Sequence, residues 1–194
     1  MVSCDARIDS IVIEDGKLDT VDDWKLFLDS VQSTACNWWS VDDTVLHYSK
    51  LIIIARKMKR QHDIDMIGID YLSFLKGDRD RRQSRVEEIE TITRNIKALA
   101  NELDIPVVLL CQLNRDCEKR ENKRPLLSDL RESGAIEQDA DAVLFVYRDE
   151  VYHSDSEDIG LAEIILSKHR NGPTGRFKMV FTPRYTRFED LAPI

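Results

Sequence analysis

The sequence predicts an α/β fold built on a mostly parallel sheet with flanking helices, and three observations predict it. The segments IDMIGIDYL (64–72), nearly continuously apolar, and VVLLC (107–111) and AVLFVY (142–147), continuously so, have the pattern of strands covered on both faces. Between the first two, Val86, Ile89, Ile92, Ile96, Leu99 and Leu103 recur at spacings of three and four, the period of an amphipathic helix. Strand–helix–strand order with apolar strands requires a crossover connection, and hence parallel pairing.

Upstream, DTVDDWKLFLDSV reads as a helix opened by Asp19 or Thr20, with acidic residues in its first turn and Trp24, Phe27, Leu28 and Val31 at helical spacing. NWWSVDD reads as a short strand running into a turn. Residues 49–62 form a helix with Leu51, Ile54, Ala55 and Met58 on one face and Arg56, Lys57, Lys59 and Arg60 largely on the other, a basic face that solvent alone can satisfy. The first apolar run ends in the charged loop KGDRDRRQSR, and Pro106 separates the long helix from VVLLC. LAEIILS (161–167) and RFKMVF (176–181) read as two further strands joined by the turn NGPTG, a C-terminal edge hairpin. With no repeat and no low-complexity linker, 1–194 reads as one domain.

Composition narrows the class. The 194 residues are 42% hydrophobic and 33% charged, as in folded globular chains. A net charge of −8 excludes a global basic field, so contact with nucleic acid would need a local patch. Cys4, Cys36, Cys111 and Cys117 make no CxxC pair and, with His47, His62, His153 and His169, no zinc-ligand spacing. The N-terminus lacks the apolar core of a secretion signal, and no apolar run approaches the ~20 residues of a membrane span. A cytoplasmic protein with no membrane partner is expected.

Ligands of an open parallel sheet bind beyond the carboxyl ends of its strands. Asp70 stands near such an end after an apolar run; it suits either the Mg²⁺ of a bound nucleotide or a cap on the next turn. Gln112 follows VVLLC directly, where a neutral amide can donate to a phosphate and accept from water; a lone surface Gln has the same appearance. Lys168 and Arg170, two residues apart, project from one face of their strand ahead of Asn171-Gly172-Pro173, an arrangement that suits an anion or an exposed charged turn. Between the second and third runs, Arg115, Lys119, Arg120, Lys123, Arg124 and Arg131 make a locally basic stretch without an aromatic to stack on bases, and Ser133 and Gly134 read as a flexible bend.

Taken together, VDDT (41–44), ARKMKRQHDIDMIGIDYL (55–72), ITRNIKALANELDIPVVLLCQLNR (92–115), KRPLLSDLRESGAIEQDADAVLFVYRDEVYH (123–153) and AEIILSKHRNGPTG (162–175) resemble the C-terminal RecA-like motor domain of the DnaB family of replicative DNA helicases. The resemblance is best over 40–190, and RPLLSDLRESGAIEQDAD is its most specific stretch. It implies that Asp70 is the Walker B carboxylate holding Mg²⁺ through ATP and that Gln112 senses the γ-phosphate. It implies that Lys168 and Arg170 reach the nucleotide of a neighbouring subunit in a hexameric ring. Arg131, Glu132 and Gly134 would lie on the loop that holds single-stranded DNA, and the activity implied is ATP-driven 5′→3′ movement during DNA replication.

The sequence departs from the family pattern. Nothing of the form GxxxxGK[ST] occurs, and the family's catalytic Glu belongs upstream of the matched region. Cys111 stands where the family usually has Ser, and His169 where it has Gln. The expected fold is therefore an incomplete RecA-like sheet, without the phosphate-loop strand and helix, leaving VVLLC beside an open apolar edge; IDSIVIED (8–15) is the nearby segment able to fill it. Two functions follow: a helicase motor fragment, or a non-catalytic chain that binds intact helicase subunits and modulates them. A different RecA-like ATPase, in recombination or regulation, is a third.

Overall fold

The computed structural model describes residues 2–35, 38–43, 45–77, 84–130 and 134–191. They form two compact units, the first from 1–41, 146–165 and 176–194, the second from 42–145 and 166–175. The helices α1 (Val2–Ala6), α2 (Ser10–Glu14) and α3 (Val21–Ala35) belong to the first unit. The second unit carries the parallel strands, and it opens with β1 (Leu46–His47) and α4 (Tyr48–His62). It continues with β2 (Ile67–Ile69), β3 (Leu75–Lys76), α5 (Arg85–Leu103), β4 (Val107–Leu109), α6 (Gly134–Asp139) and most of β5 (Ala142–Tyr147).

α5 begins where its sequence supplies both halves of a capping box. Ser84 accepts from the Glu87 amide, and the Glu87 carboxylate accepts from the Ser84 amide. It ends at Asp104 in the left-handed conformation, whose amide donates to Ala100. Ile89, Ile92, Ile96 and Leu99 are buried along one face, Ile92 completely. α4 lies against α5, joined by a bidentate pair from Arg56 to Glu102 at 2.7 Å. That pair, with Lys59 on Asp63, takes up part of the basic face.

β2 and β4 pair in parallel, Ile67 opposite Val107 and Ile69 opposite Leu109. The strands are shorter than the apolar runs that announced them, and their burial is one-sided. Val108 is 48% exposed, Leu110 50% and, on β5, Leu144 58%. The expectation of strands covered on both faces is thus corrected: on β5, Val143, Phe145 and Tyr147 are buried while Leu144 and Val146 are not. Among the described residues β4 pairs only with β2, and β5 only with β6 (Leu161–His169). The open apolar edge expected beside VVLLC is present.

In the first unit, α1 packs on α3, with the Ser30 hydroxyl donating to the Val2 carbonyl at 3.3 Å. Thr20 opens α3, accepting from the Asp23 amide at 3.0 Å, but Trp24, Leu28 and Val31 lie exposed. The segment 8–15 supplies no strand: its centre, Ser10–Glu14, is the helix α2, capped by Asp9. Its five residues cannot fill a sheet edge. Residues 38–43 of NWWSVDD have no regular structure. β6 is followed by β7 (Gly175–Thr182) and β8 (Arg187–Asp190), in the sheet order β5-β6-β7-β8. The link of 170–174 between β6 and β7 is too short for anything but an antiparallel hairpin, as the turn chemistry predicted. Phe181 faces Phe188 across the antiparallel β7–β8 pair, ring centres 4.8 Å apart.

The segment after β5 is organised by Asp149, whose carboxylate accepts from the Ser156 hydroxyl at 2.6 Å and the Tyr147 hydroxyl at 2.8 Å and meets His153 Nδ1 at 3.2 Å. These donors, Ser156 foremost, hold its pKa down at about 2. An unfolded Asp titrates near ~4, so the stabilisation is complete above that pH and is lost as pH falls toward about 2. Asp149→Asn should lower stability at neutral pH and flatten its decline between about pH 4 and about pH 2. Urea unfolding at fixed pH measures both; identical slopes in the two proteins would remove Asp149 from the acid response.

Candidate functional site

Backbone pairing continues past β2 and β4 with a one-residue offset: the Leu110 amide donates to the Ile69 carbonyl at 3.0 Å and the Leu72 amide to the Leu110 carbonyl at 2.9 Å. Asp70 and Gln112 therefore stand on adjacent strand ends, on the side of the sheet where parallel topology builds sites. Both are exposed, and among the described residues neither has a hydrogen-bond or ion-pair partner. An exposed Asp70 carries no desolvation cost. Its oxygens are available to a hard cation, and an Mg²⁺ that keeps its waters and a substrate's phosphates needs only one or two such carboxylates. Among the described residues no cluster of three or more His, Cys, Asp or Glu could hold a metal ion. Beside the pair, burial pushes the Cys111 thiol up to about 11, so it stays protonated at neutral pH.

Lys168 and Arg170 do share a side, and they share an acceptor. The Lys168 ammonium donates to the carbonyls of Glu137 and Gln138, and Arg170 Nη2 donates to the Gln138 carbonyl at 3.1 Å. Arg170 Nη1 meets Asp141 Oδ1 at 3.0 Å, and the Arg170 amide donates to the Asp141 carbonyl at 2.7 Å. The cations thus sit at the carboxyl end of α6, where unpaired carbonyls and the helix dipole favour positive charge. Lys97 of α5 reaches the other oxygen of Asp141, and Thr93 of α5 donates to Asp139 at 2.8 Å. Lys97 above all, with Arg170 and Lys168, holds the Asp141 carboxyl below the usual range. No hydrogen bond or ion pair joins this cluster to Asp70 or Gln112 among the described residues.

Arg131 and Glu132 lie outside the described residues, as does Ser133. Gly134 opens α6 rather than forming a bend, and a Cβ there would meet nothing within 4 Å. The stretch before them is less free than its charges suggested. Arg120 makes two bonds to Asp129, at 2.8 and 2.6 Å, and donates to the Arg124 carbonyl at 2.9 Å. Asp129, 5% exposed, also accepts from the Leu126 amide at 2.8 Å, and Leu113 bridges Leu130. Arg120 holds the Asp129 carboxyl low and is itself taken up in closing the loop; Lys119 is paired to Asp116 at 2.6 Å. Arg115 remains exposed without an ion pair among the described residues. Sequence reasoning missed Asp129, Asp141 and Lys97 as organisers. Only Asp129 had a local signal, its bond to the amide three residues back.

The match to known proteins is decisive at this point: the model of the DnaB-like helicase C terminal domain covers residues 1–190. The chain belongs to that family. The DnaB-like domain is 40% identical over 192 residues to the replicative DNA helicase DnaB of Geobacillus stearothermophilus, covering 98% of this chain and 42% of that protein. The DnaB of Pasteurella multocida is 43% identical over 190 residues, covering 96% of this chain and 40% of the relative. The chain therefore spans about two-fifths of these relatives. Among solved structures it superposes on a chain described as an ATPase domain with TM-score 0.92 at 34% identity, covering 98% of this chain and 68% of that one. It superposes on a DnaB-like replicative helicase, described with its interactions with primase, with TM-score 0.91 at 34% identity; the match covers 98% of this chain and 46% of that one. The RecA-like fold and the family resemblance are both established. No helix among the described residues is long and apolar enough to cross a membrane.

The Arg120–Asp129 pair makes the loop testable apart from any ligand. Asp129→Ala removes three hydrogen bonds and leaves the Arg120 guanidinium without its counter-ion, which should lower stability. The urea midpoint should fall, and amide exchange across 113–130 should accelerate. Unchanged exchange there would show that the loop is held by other means.

Proposed function

We propose that this DnaB-like chain is part of a replicative DNA helicase motor, acting in the cytoplasm as a subunit of a hexameric ring on single-stranded DNA and moving 5′→3′ with ATP hydrolysis. The observation that carries the reading is the placement of Asp70 and Gln112, exposed and unpartnered among the described residues, on adjacent parallel strand ends. Asp70 would hold Mg²⁺, which supplies charge neutralisation on the phosphates when nucleotide is bound. Gln112 can donate to a terminal phosphate and accept from water, and so distinguish the phosphate's presence from its loss. Lys168 and Arg170 would meet the nucleotide of the adjacent subunit, and Arg131, Glu132 and Gly134 would line the path of the DNA backbone. On this reading 1–194 is one partial motor domain.

A second reading is favoured by one sequence fact, the lack of any GxxxxGK[ST] segment. The chain would then bind intact helicase subunits and modulate them without hydrolysing ATP itself.

By itself the 194-residue chain should turn over no ATP above a no-protein blank, because positioning and neutralising the phosphates is most of phosphoryl-transfer catalysis. Turnover abolished by Asp70→Ala would overturn this. Mixed with an intact DnaB-type helicase, the chain should enter the ring and change its ATPase rate in proportion to incorporation. Sizing measures the first and phosphate release the second; a chain that never co-elutes with the ring contradicts both readings. In mixed rings Arg131→Ala should weaken single-stranded DNA binding alike across sequences and flatten its salt dependence by about one unit of slope. Fluorescence anisotropy across a salt series reads this, and a loss confined to particular sequences would assign Arg131 a different role.

A further inference from the structure

Lys97 was singled out by no motif, yet the fold brings it from the middle of α5 to the carboxylate that Arg170 also grips. Three cations, Lys97, Lys168 and Arg170, lie around one carboxylate, Asp141, in a chain whose net charge is −8. The cluster is accessible: the Arg170 side chain is 48% exposed, that of Asp141 54% and that of Lys97 29%. Its acceptors are Asp141 and the carbonyls of Glu137 and Gln138, fewer than the N–H groups the three cations present. Donors are therefore left over on an exposed surface, where water or a further anion can accept from them.

We propose that Lys97, Lys168 and Arg170 form one polyphosphate-binding surface, with Lys97 as its third cation and Asp141 as an internal counter-ion that a phosphate chain must displace. The proposal rests on the reading that Lys168 and Arg170 meet phosphate, and it adds Lys97 and Asp141 to that site. Asp141 orients Arg170 through a charge-assisted bond and backbone contact while competing for the same donors. One carboxylate bridges Lys97 and Arg170, so a phosphate group can take its place, and a polyphosphate offers further oxygens to Lys168.

The probe is inorganic tripolyphosphate, titrated by calorimetry into the full chain in magnesium-free buffer. Lys97→Met, which keeps the aliphatic stem, and Arg170→Ala should each weaken binding about fivefold, and Asp141→Asn should tighten it about fivefold. Lys57→Ala and Asp65→Asn, exposed substitutions of matching charge, set the background and should move affinity little. If Lys97→Met or Asp141→Asn matches its control while Arg170→Ala loses binding, the proposal is wrong and the Lys168–Arg170 reading stands. If Arg170→Ala and Lys168→Ala both match Lys57→Ala, that underlying reading is wrong and the proposal falls with it. Side-chain N–H resonances of Lys97 and Arg170 in the unsubstituted chain give a check that needs no variant. Both should shift with one midpoint, and movement of Arg170 alone would overturn the role of Lys97.

Discussion

Parallel pairing of β2 with β4 is the constraint on which the rest of the second unit depends. Parallel strands cannot be joined by a turn, so the chain between them must cross over, and α5 is that crossover. Its buried stripe of Ile89, Ile92, Ile96 and Leu99 supplies the apolar contact that fixes the register. With Ile69 opposite Leu109, Asp70 comes directly after β2 and Gln112 three residues after β4, with no interaction between them among the described residues. Their freedom from internal partners among the described residues leaves their oxygens and amide to a ligand.

The same helix organises the second cluster. Thr93 and Lys97 lie one turn apart on α5 and reach Asp139 and Asp141 at the end of α6. Lys168 and Arg170 close on the same helix end from β6. α5 thus fixes both the crossover that places Asp70 and the carboxylates that place Arg170. The loop leading into α6 is tied separately, by Arg120 and Asp129. Charges that look like a basic patch in sequence are divided in space between structural pairs and presented cations, and the division follows burial: Asp129 is enclosed and binds its arginine fully, whereas Asp141 is open and shares three.

The exposed apolar residues of β4 and β5 fit the family relationship. Val108, Leu110, Leu144 and Val146 belong to strands whose composition is that of two-sided burial, yet one side is uncovered and each strand has a single neighbour among the described residues. The chain matches about two-fifths of the length of its helicase relatives. A strand of that composition with one edge unpaired among the described residues is a template for pairing with additional polypeptide.

Much of this was legible in the sequence because it is local. The three-and-four spacing of α5, the Ser84–Glu87 box, the hairpin after His169 and the apolar strands are set by propensity and near-neighbour bonding, and they appear where expected. Asp70 and Gln112 could be named because a strand's end is a position in the chain as much as in space. What only the tertiary structure decided is which charge meets which. Asp141 holds cations from residues 97 and 170, and Arg7 meets Glu189 across the length of the chain. The spacing of such partners follows packing and not periodicity. The short helix at Ser10–Glu14 teaches the same lesson in reverse: a segment that composition offers as a filler for the sheet edge is a helix, with Asp9 accepting from the Ile11 amide at its start.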